Sequence, residues 1–196
     1  MRRLGKHALT IVAFLATLVV PASAQTASPI SLQFSALYSI PFSGGLSEVQ
    51  GGPGLEAQIR YNPSLFGIGI GVEYSQHDLE TSGRSVNIAG LFIEPRYVIL
   101  TGSERVAPYL SGRFAISQTT FQISETSDET STATGYTANF GGGLLVILGS
   151  RVSLDLGATI GWQKLGSATV DSTPPTVFDL GSGNNAILRV GLAIGL

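Results

Sequence analysis

From residue 30 to residue 196 the chain repeats one pattern in eight segments: apolar side chains at every second position, with Gly, Ser, Thr, Asn or a charge between them. A period of two puts successive side chains on opposite faces of a strand. The pattern is plainest over 152–162, where Val152, Leu154, Leu156, Ala158, Ile160 and Trp162 share one face and Ser153, Asp155, Gly157, Thr159 and Gly161 the other. It predicts strands over about 30–42, 54–62, 66–77, 86–100, 105–121, 134–147, 151–164 and 184–196, the fourth and fifth alternating least cleanly. Each is long enough to cross a bilayer at a tilt, which takes about 9–11 residues.

The connections alternate in length. Residues 62–65, 101–104 and 148–150 read as tight turns, whereas 43–53, 78–85, 122–133 and 165–183 read as longer solvated loops rich in Gly, Ser, Thr, Asp and Pro. Membrane barrels of the outer-membrane type carry short turns on the periplasmic side and long loops outside. With eight strands, both ends of the barrel segment then lie in the periplasm. On the apolar face, Tyr38, Tyr74, Tyr136 and Trp162 fall near the loop ends, and Tyr61, Phe66 and Tyr97 near the turn ends. Two such clusters match the aromatic girdles expected where a membrane meets water.

Ahead of the strands, Arg2, Arg3 and Lys6 precede an apolar run from Ala8 to Val20, which Pro21 ends, and Ala22-Ser23-Ala24 supplies a small-x-small site. This pattern predicts a cleavable signal peptide over 1–24 and a single barrel domain over 25–196. The run falls short of the roughly 20 residues of a spanning helix. Removing the signal leaves eight basic residues against thirteen acidic ones, which argues against a nucleic-acid partner. Cysteine is absent, so neither a disulfide framework nor a lipid-modified cysteine is expected. Few charges and abundant Gly suit an outer surface facing something other than water.

With these features the chain resembles the small outer-membrane β-barrel domain family, the OmpA/OmpX type of eight-stranded barrel of diderm bacteria. The resemblance is carried by the signal sequence, Glu94-Pro95-Arg96-Tyr97, Ala107-Pro108-Tyr109-Leu110 and the alternating segment Leu188 to Leu196. It implies an all-β, eight-stranded, antiparallel up-and-down transmembrane barrel in the outer membrane, with membrane lipid and the barrel assembly machinery as partners. Many members end in an aromatic residue, whereas this chain ends in Leu196, and no peptidoglycan-binding domain is expected after that strand.

Eight strands leave an interior just wide enough to be filled by side chains. The inward positions include Gly67, Gly69, Gly71, Gly141, Gly143, Gly157, Gly161 and Gly191, which leave room for Glu56, Arg60, Glu73, Glu94, Arg96, Arg113, Asp155 and Arg189. Four acids meet four bases, the balance that buried charges require. A structural charge plug is therefore expected, with a narrow conduit as the alternative. Pro95 and Pro108 lie in strands, where a bulge or a strand start is the usual accommodation.

Candidate chemistry is sparse. His77 and Ser75 share lumen parity near the outer rim with Glu73 deeper, so a Ser/His/acid set acting on lipid is conceivable, although a lone His at a strand end is more often a rim residue. Asp128 and Glu129 have no recognised cation-ligand spacing. No cofactor or metal pattern occurs, and the expectation is a non-enzymatic barrel of structural or interaction type whose loop partner is unknown. A secreted soluble barrel with its apolar face inward is the remaining alternative.

Overall fold

The computed structural model describes residues 28–47, 49–79, 85–122, 130–170, 176–179 and 181–196. The expected signal peptide, the acidic pair Asp128 and Glu129, and parts of all four long loops lie outside the described residues. Ten strands occur among those described: β1 (Ile30–Pro41), β2 (Gly52–Tyr61), β3 (Phe66–Asp78), β4 (Ser85–Val98), β5 (Val106–Gln122), β6 (Thr130–Ile147), β7 (Val152–Lys164), β8 (Ser167–Val170), β9 (Thr176–Asp179) and β10 (Ser182–Gly195). Strands β1 to β7 and β10 form a closed barrel in which each pairs with its sequence neighbours, β7 pairs with β10, and β10 pairs with β1. All these pairings are antiparallel; at the seam Phe34 faces Leu192 and Ala36 faces Val190. Closure removes the two open edges that a flat eight-stranded sheet would expose. The backbone N–H of Leu196 completes the seam by donating to the Ile30 carbonyl at 2.9 Å.

The alternation decides what each face meets. Phe34, Leu55, Ile70, Leu91, Ile116, Phe140, Ile160 and Val190 all lie on the outside with half or more of their surface uncovered. The inward positions carry charges, amides, hydroxyls and glycines, nearly all buried. An exterior of this kind cannot be wetted favourably by water, because each uncovered Val, Leu, Ile or Phe side chain forgoes about 1.5–3 kcal/mol of burial. Lipid is the solvent that suits it.

The structure corrects the sequence reading at three places. Residues 122–133 were expected to be a loop, yet β5 and β6 pair as far as Gln122 opposite Thr130, which carries the hairpin six residues beyond Tyr136. That is about 20 Å of strand at ~3.3 Å per residue. A Ser/Thr-rich stretch shows no apolar face and so reads as loop, but β-branched Thr suits a pleated ladder once a partner strand supplies the hydrogen bonds. The expected loop 165–183 likewise contains a small hairpin, with Ser167 opposite Asp179 and Val170 opposite Thr176. Pro95 is accommodated neither by a bulge nor by a strand start. The β4–β5 ladder runs to Ile93 opposite Phe114, lapses at Glu94 and Pro95, and resumes at Arg96 opposite Ser111 in the same register. A single missing N–H therefore costs ladder bonds locally without shifting any side chain to the other face. Pro108, by contrast, sits at the third position of β5, where its carbonyl accepts the Ile99 N–H at 2.8 Å.

Both ends of the lumen are lined by apolar side chains. At the turn end Leu65, Val98, Ala107 and Tyr109 form a buried cluster joined by Leu145 and Ile147. At the loop end Leu46, Val86, Ile88 and Leu165 form another, joined by Leu79. Leu46 reaches its place through a short 3-10 turn, Gly44–Leu46. Gly44 has φ +68° and lies so close to the Ser182 carbonyl that a Cβ would collide with it, so only glycine fits there.

Candidate functional site

Between the two apolar layers lies a network of ionic side chains. Glu94, fully buried, is its centre: Oε1 accepts from Arg60 Nη2 at 2.8 Å, Arg96 Nη2 at 2.9 Å and Arg189 Nη2 at 3.2 Å. Its other oxygen, Oε2, accepts from Arg113 Nη1 at 3.2 Å and Arg189 Nη1 at 2.5 Å. One carboxylate thus contacts four guanidinium groups contributed by β2, β4, β5 and β10. The remaining acids surround this centre. Asp155 Oδ2 takes Arg96 at 2.8 Å, Glu73 Oε2 takes Arg113 at 2.5 Å, and Glu56 lies 2.8 Å from Arg113 and 3.5 Å from Arg189. All eight charged residues expected in the lumen are there, and each contacts at least one of the others.

Local sequence explains why the network fits. Gly69 lies beside Arg60, and a Cβ on Gly69 would come within 3.0 Å of its Nη2. A Cβ on Gly157 would come within 2.7 Å of the Tyr109 hydroxyl and 3.1 Å of Arg189. Glycine on one strand therefore makes the volume that a long side chain on another occupies, as close packing demands.

Two aromatic members were missed from the sequence. The Tyr109 hydroxyl donates to Asp155 Oδ1 at 2.6 Å and accepts from Arg189 Nη2 at 3.2 Å, while the Arg96 guanidinium lies 3.7 Å over its ring. Phe92 supports Arg113 in the same way, 3.6 Å from its guanidinium carbon. Such contacts stabilise a desolvated cation through the negative face of the ring. Parity held the signal: Tyr109 alternates with outward Leu110, and Phe92 shares its face with Glu94. We expect Tyr109→Phe to cost about 1–3 kcal/mol, because Asp155 loses its hydroxyl donor and stays buried. Urea unfolding of the folded protein in lipid vesicles measures this, and an unchanged midpoint would remove Tyr109 from the network.

Two small cavities flank the ions. One, of about 30 Å³ at the turn end, is lined by Arg60, Arg96, Asn62, Gln33, Ser31 and Ser153 among others. The other, of about 20 Å³ toward the loops, is lined by Glu73, Ser75, Asn185, Gln163, Thr137 and Ser39 among others. Neither is large enough for an acyl chain or a solute path.

His77 and Ser75 are close: Ser75 Oγ lies 3.0 Å from His77 Nε2, and His77 Nδ1 lies 2.9 Å from the Gln50 carbonyl. A carbonyl only accepts, so Nδ1 carries a proton; when the ring is neutral, Ser75 donates to Nε2. The third member of a triad does not join them in this role. Glu73 is engaged by Arg113, and both Ser75 and His77 are buried. The arrangement ties β3 to the segment ahead of β2, where Val49 also bridges Leu79. Among the described residues there is no group of three or more His, Cys, Asp and Glu side chains that could hold a metal ion.

Outside, Tyr38, Tyr61, Phe66, Tyr74, Tyr97, Tyr136 and Trp162 all face away from the lumen. Phe66 and Tyr97 are direct cross-strand partners at the turn end. Tyr136 and Trp162 meet edge to face at 5.3 Å between ring centres. At the loop end the Tyr38 hydroxyl donates to the Gly51 carbonyl at 3.1 Å and that of Tyr74 to Asn87 Oδ1 at 2.9 Å. These rings combine an apolar body with a satisfied polar tip.

Solved structures share this architecture. The chain is similar to Neisserial surface protein A, with 19% identity, 86% of this chain and 98% of that chain covered, and a TM-score of 0.57. It also aligns with the outer membrane protein OprG from Pseudomonas aeruginosa, at 9% identity, 88% and 97% coverage and a TM-score of 0.48. The third, Ail, the attachment invasion locus protein of Yersinia pestis, aligns at 12% identity, 85% and 96% coverage and a TM-score of 0.47. No family model and no curated protein matches the sequence. The likeness is one of fold: a closed eight-stranded barrel of the bacterial outer-membrane type.

Proposed function

Starting from that outer-membrane-type barrel, we propose that the protein is an integral component of the outer membrane of a diderm bacterium with a structural or interaction role. Its lumen is a permanent plug, and its work is done by the surface at the loop end. The observation that carries this reading is the Glu94 network. Four arginines converge on one fully buried carboxylate, and apolar clusters lie at both ends of the lumen. An ion moving through would have to separate these pairs in a medium where charges are costly to leave uncompensated. The β5–β6 ladder continues for about 20 Å past Tyr136, beyond the apolar belt. Such a ladder, with the loops around it, suits contact with a macromolecule better than passage of a solute.

The expected signal peptide over 1–24 would deliver the chain to the periplasm, and the barrel assembly machinery would insert it. The aromatic side chains at the two ends of the belt would then lie at the lipid interfaces. The Ser75–His77 pair acts on no lipid in this reading, since both residues are buried and the cavity that Ser75 lines is too small for an acyl chain.

Planar-bilayer recording tests the plug. Purified, refolded protein is expected to leave the membrane conductance at baseline, apart from rare events that do not scale with protein. Steady unitary steps proportional to the amount added would replace this reading with a conduit. Fractionation completes the test: the protein is expected with the outer membrane and in a heat-modifiable band, and recovery as free periplasmic protein would contradict membrane residence.

A further inference from the structure

The turn-end cavity differs in chemistry from the rest of the lumen. No carboxylate lines it, whereas two arginines do. Its other polar lining comes from Asn62, Gln33, Ser31 and Ser153, each able to donate a hydrogen bond. Arg60 and Arg96 direct Nη2 toward Glu94; as in Arg113 and Arg189, the Nε of each has no hydrogen-bond partner among the described residues, and both side chains are at least 97% buried. Gln33 is buried as well; its amide nitrogen donates to Ser35, and its oxygen has no partner. The two amide orientations are interchangeable, so turning the group lets Ser35 donate to the oxygen and frees the NH₂ for the cavity. Buried donors left unpaired cost stability, so a position that collects several of them calls for an acceptor.

We propose that this cavity is a binding site for a single monatomic anion, chloride in the first instance, reached from the turn end of the barrel. Three features select that class. The donor set carries positive charge from Arg60 and Arg96 with no acid at the lining, so a cation is disfavoured. The volume of about 30 Å³ is that of a site for about two waters, the scale of one halide. Arg60 contacts a single carboxylate, Glu94, which it shares with three other arginines, so it has the fewest ion-pair partners of the four. The bound halide would lock the turn end of the plug and would leave the loop surface untouched.

Bromide is the probe. Crystals of the folded protein in detergent, grown or soaked in sodium bromide, are expected to show an anomalous peak inside the cavity within hydrogen-bond reach of Arg60 and Arg96. In solution, chloride-35 NMR is expected to show excess line broadening by the wild-type protein that bromide competes away. Ala193 lines the same cavity and takes no part in the ion pairs. Ala193→Val, which fills the space, is expected to abolish both signals while the barrel still folds. Anomalous peaks confined to Arg105, Arg151 or other exterior cations, with water alone in the cavity, would overturn the proposal. So would broadening that survives in Ala193→Val. Should that variant fail to fold, the wild-type anomalous map decides by itself.

Discussion

Glu94→Ala is expected to destabilise the barrel by about 3–5 kcal/mol, the range for removing one partner of a buried ionic network. The reason is where the charge lies. Arg60, Arg96, Arg113 and Arg189 all contact this carboxylate, and none can lose its proton to relieve the repulsion that remains. Glu56, Glu73 and Asp155 stay in place, but they lie around the centre and cannot take up its position. Glu73→Ala is the natural comparison, since Glu73 contacts Arg113 alone and is 14% exposed, so water can compensate part of the loss. Its effect is expected to be well below that of Glu94→Ala. Glu94→Gln keeps the shape and one acceptor oxygen while removing the charge, and is expected to fall between them. Urea unfolding in lipid vesicles, read by the heat-modifiable gel shift, measures all three. Equal effects for Glu94→Ala and Glu73→Ala would show that the network has no centre.

A second large effect is expected on the outside. Ile70 lies midway along β3 between Phe66 and Tyr74 on the outward face, paired with Ile59 and Ile93. If lipid wets this face, Ile70→Arg puts a guanidinium near the bilayer midplane at a cost of about 2–4 kcal/mol. Gln76→Arg, on the same face of the same strand but beyond Tyr74, is expected to cost no more than about 1 kcal/mol. Depth is the only difference that matters between the two, because both positions point outward and neither touches the lumen. In a soluble barrel both changes would be small, since arginine on a wet surface is harmless. Unfolding from vesicles separates the cases, and a small penalty at Ile70 would mean that water covers the belt.

The alternation made eight strands and both faces legible, because a period of two is a direct consequence of the pleat. Glycine at one inward position and a long charge at another also announced a filled lumen. What escaped were features with no periodic signature. Phe92 and Tyr109 were readable by parity but lacked the charge that marked their neighbours, although Tyr109 holds Asp155 and supports Arg96. The Ser/Thr-rich ends of β5 and β6 carry no apolar outward face that would mark them as strand. The short hairpin of β8 and β9 is too brief for any periodicity to declare.

The amino-acid sequence by itself determined that the chain alternates, how many times it crosses, and that equal numbers of acids and bases point inward. Those properties are local, set by each residue's position in a strand. Which charge stands at the centre was decided only by closure of the barrel. Glu94, Arg60, Arg113 and Arg189 belong to four strands and meet because β10 returns to β1, and no local pattern encodes that meeting. Tertiary structure likewise separated the cavity at the turn end, which no carboxylate lines, from the carboxylate-bearing one toward the loops. Long-range pairing sets the distances between charges, and those distances decide whether a set of lumen ions is a path or a plug.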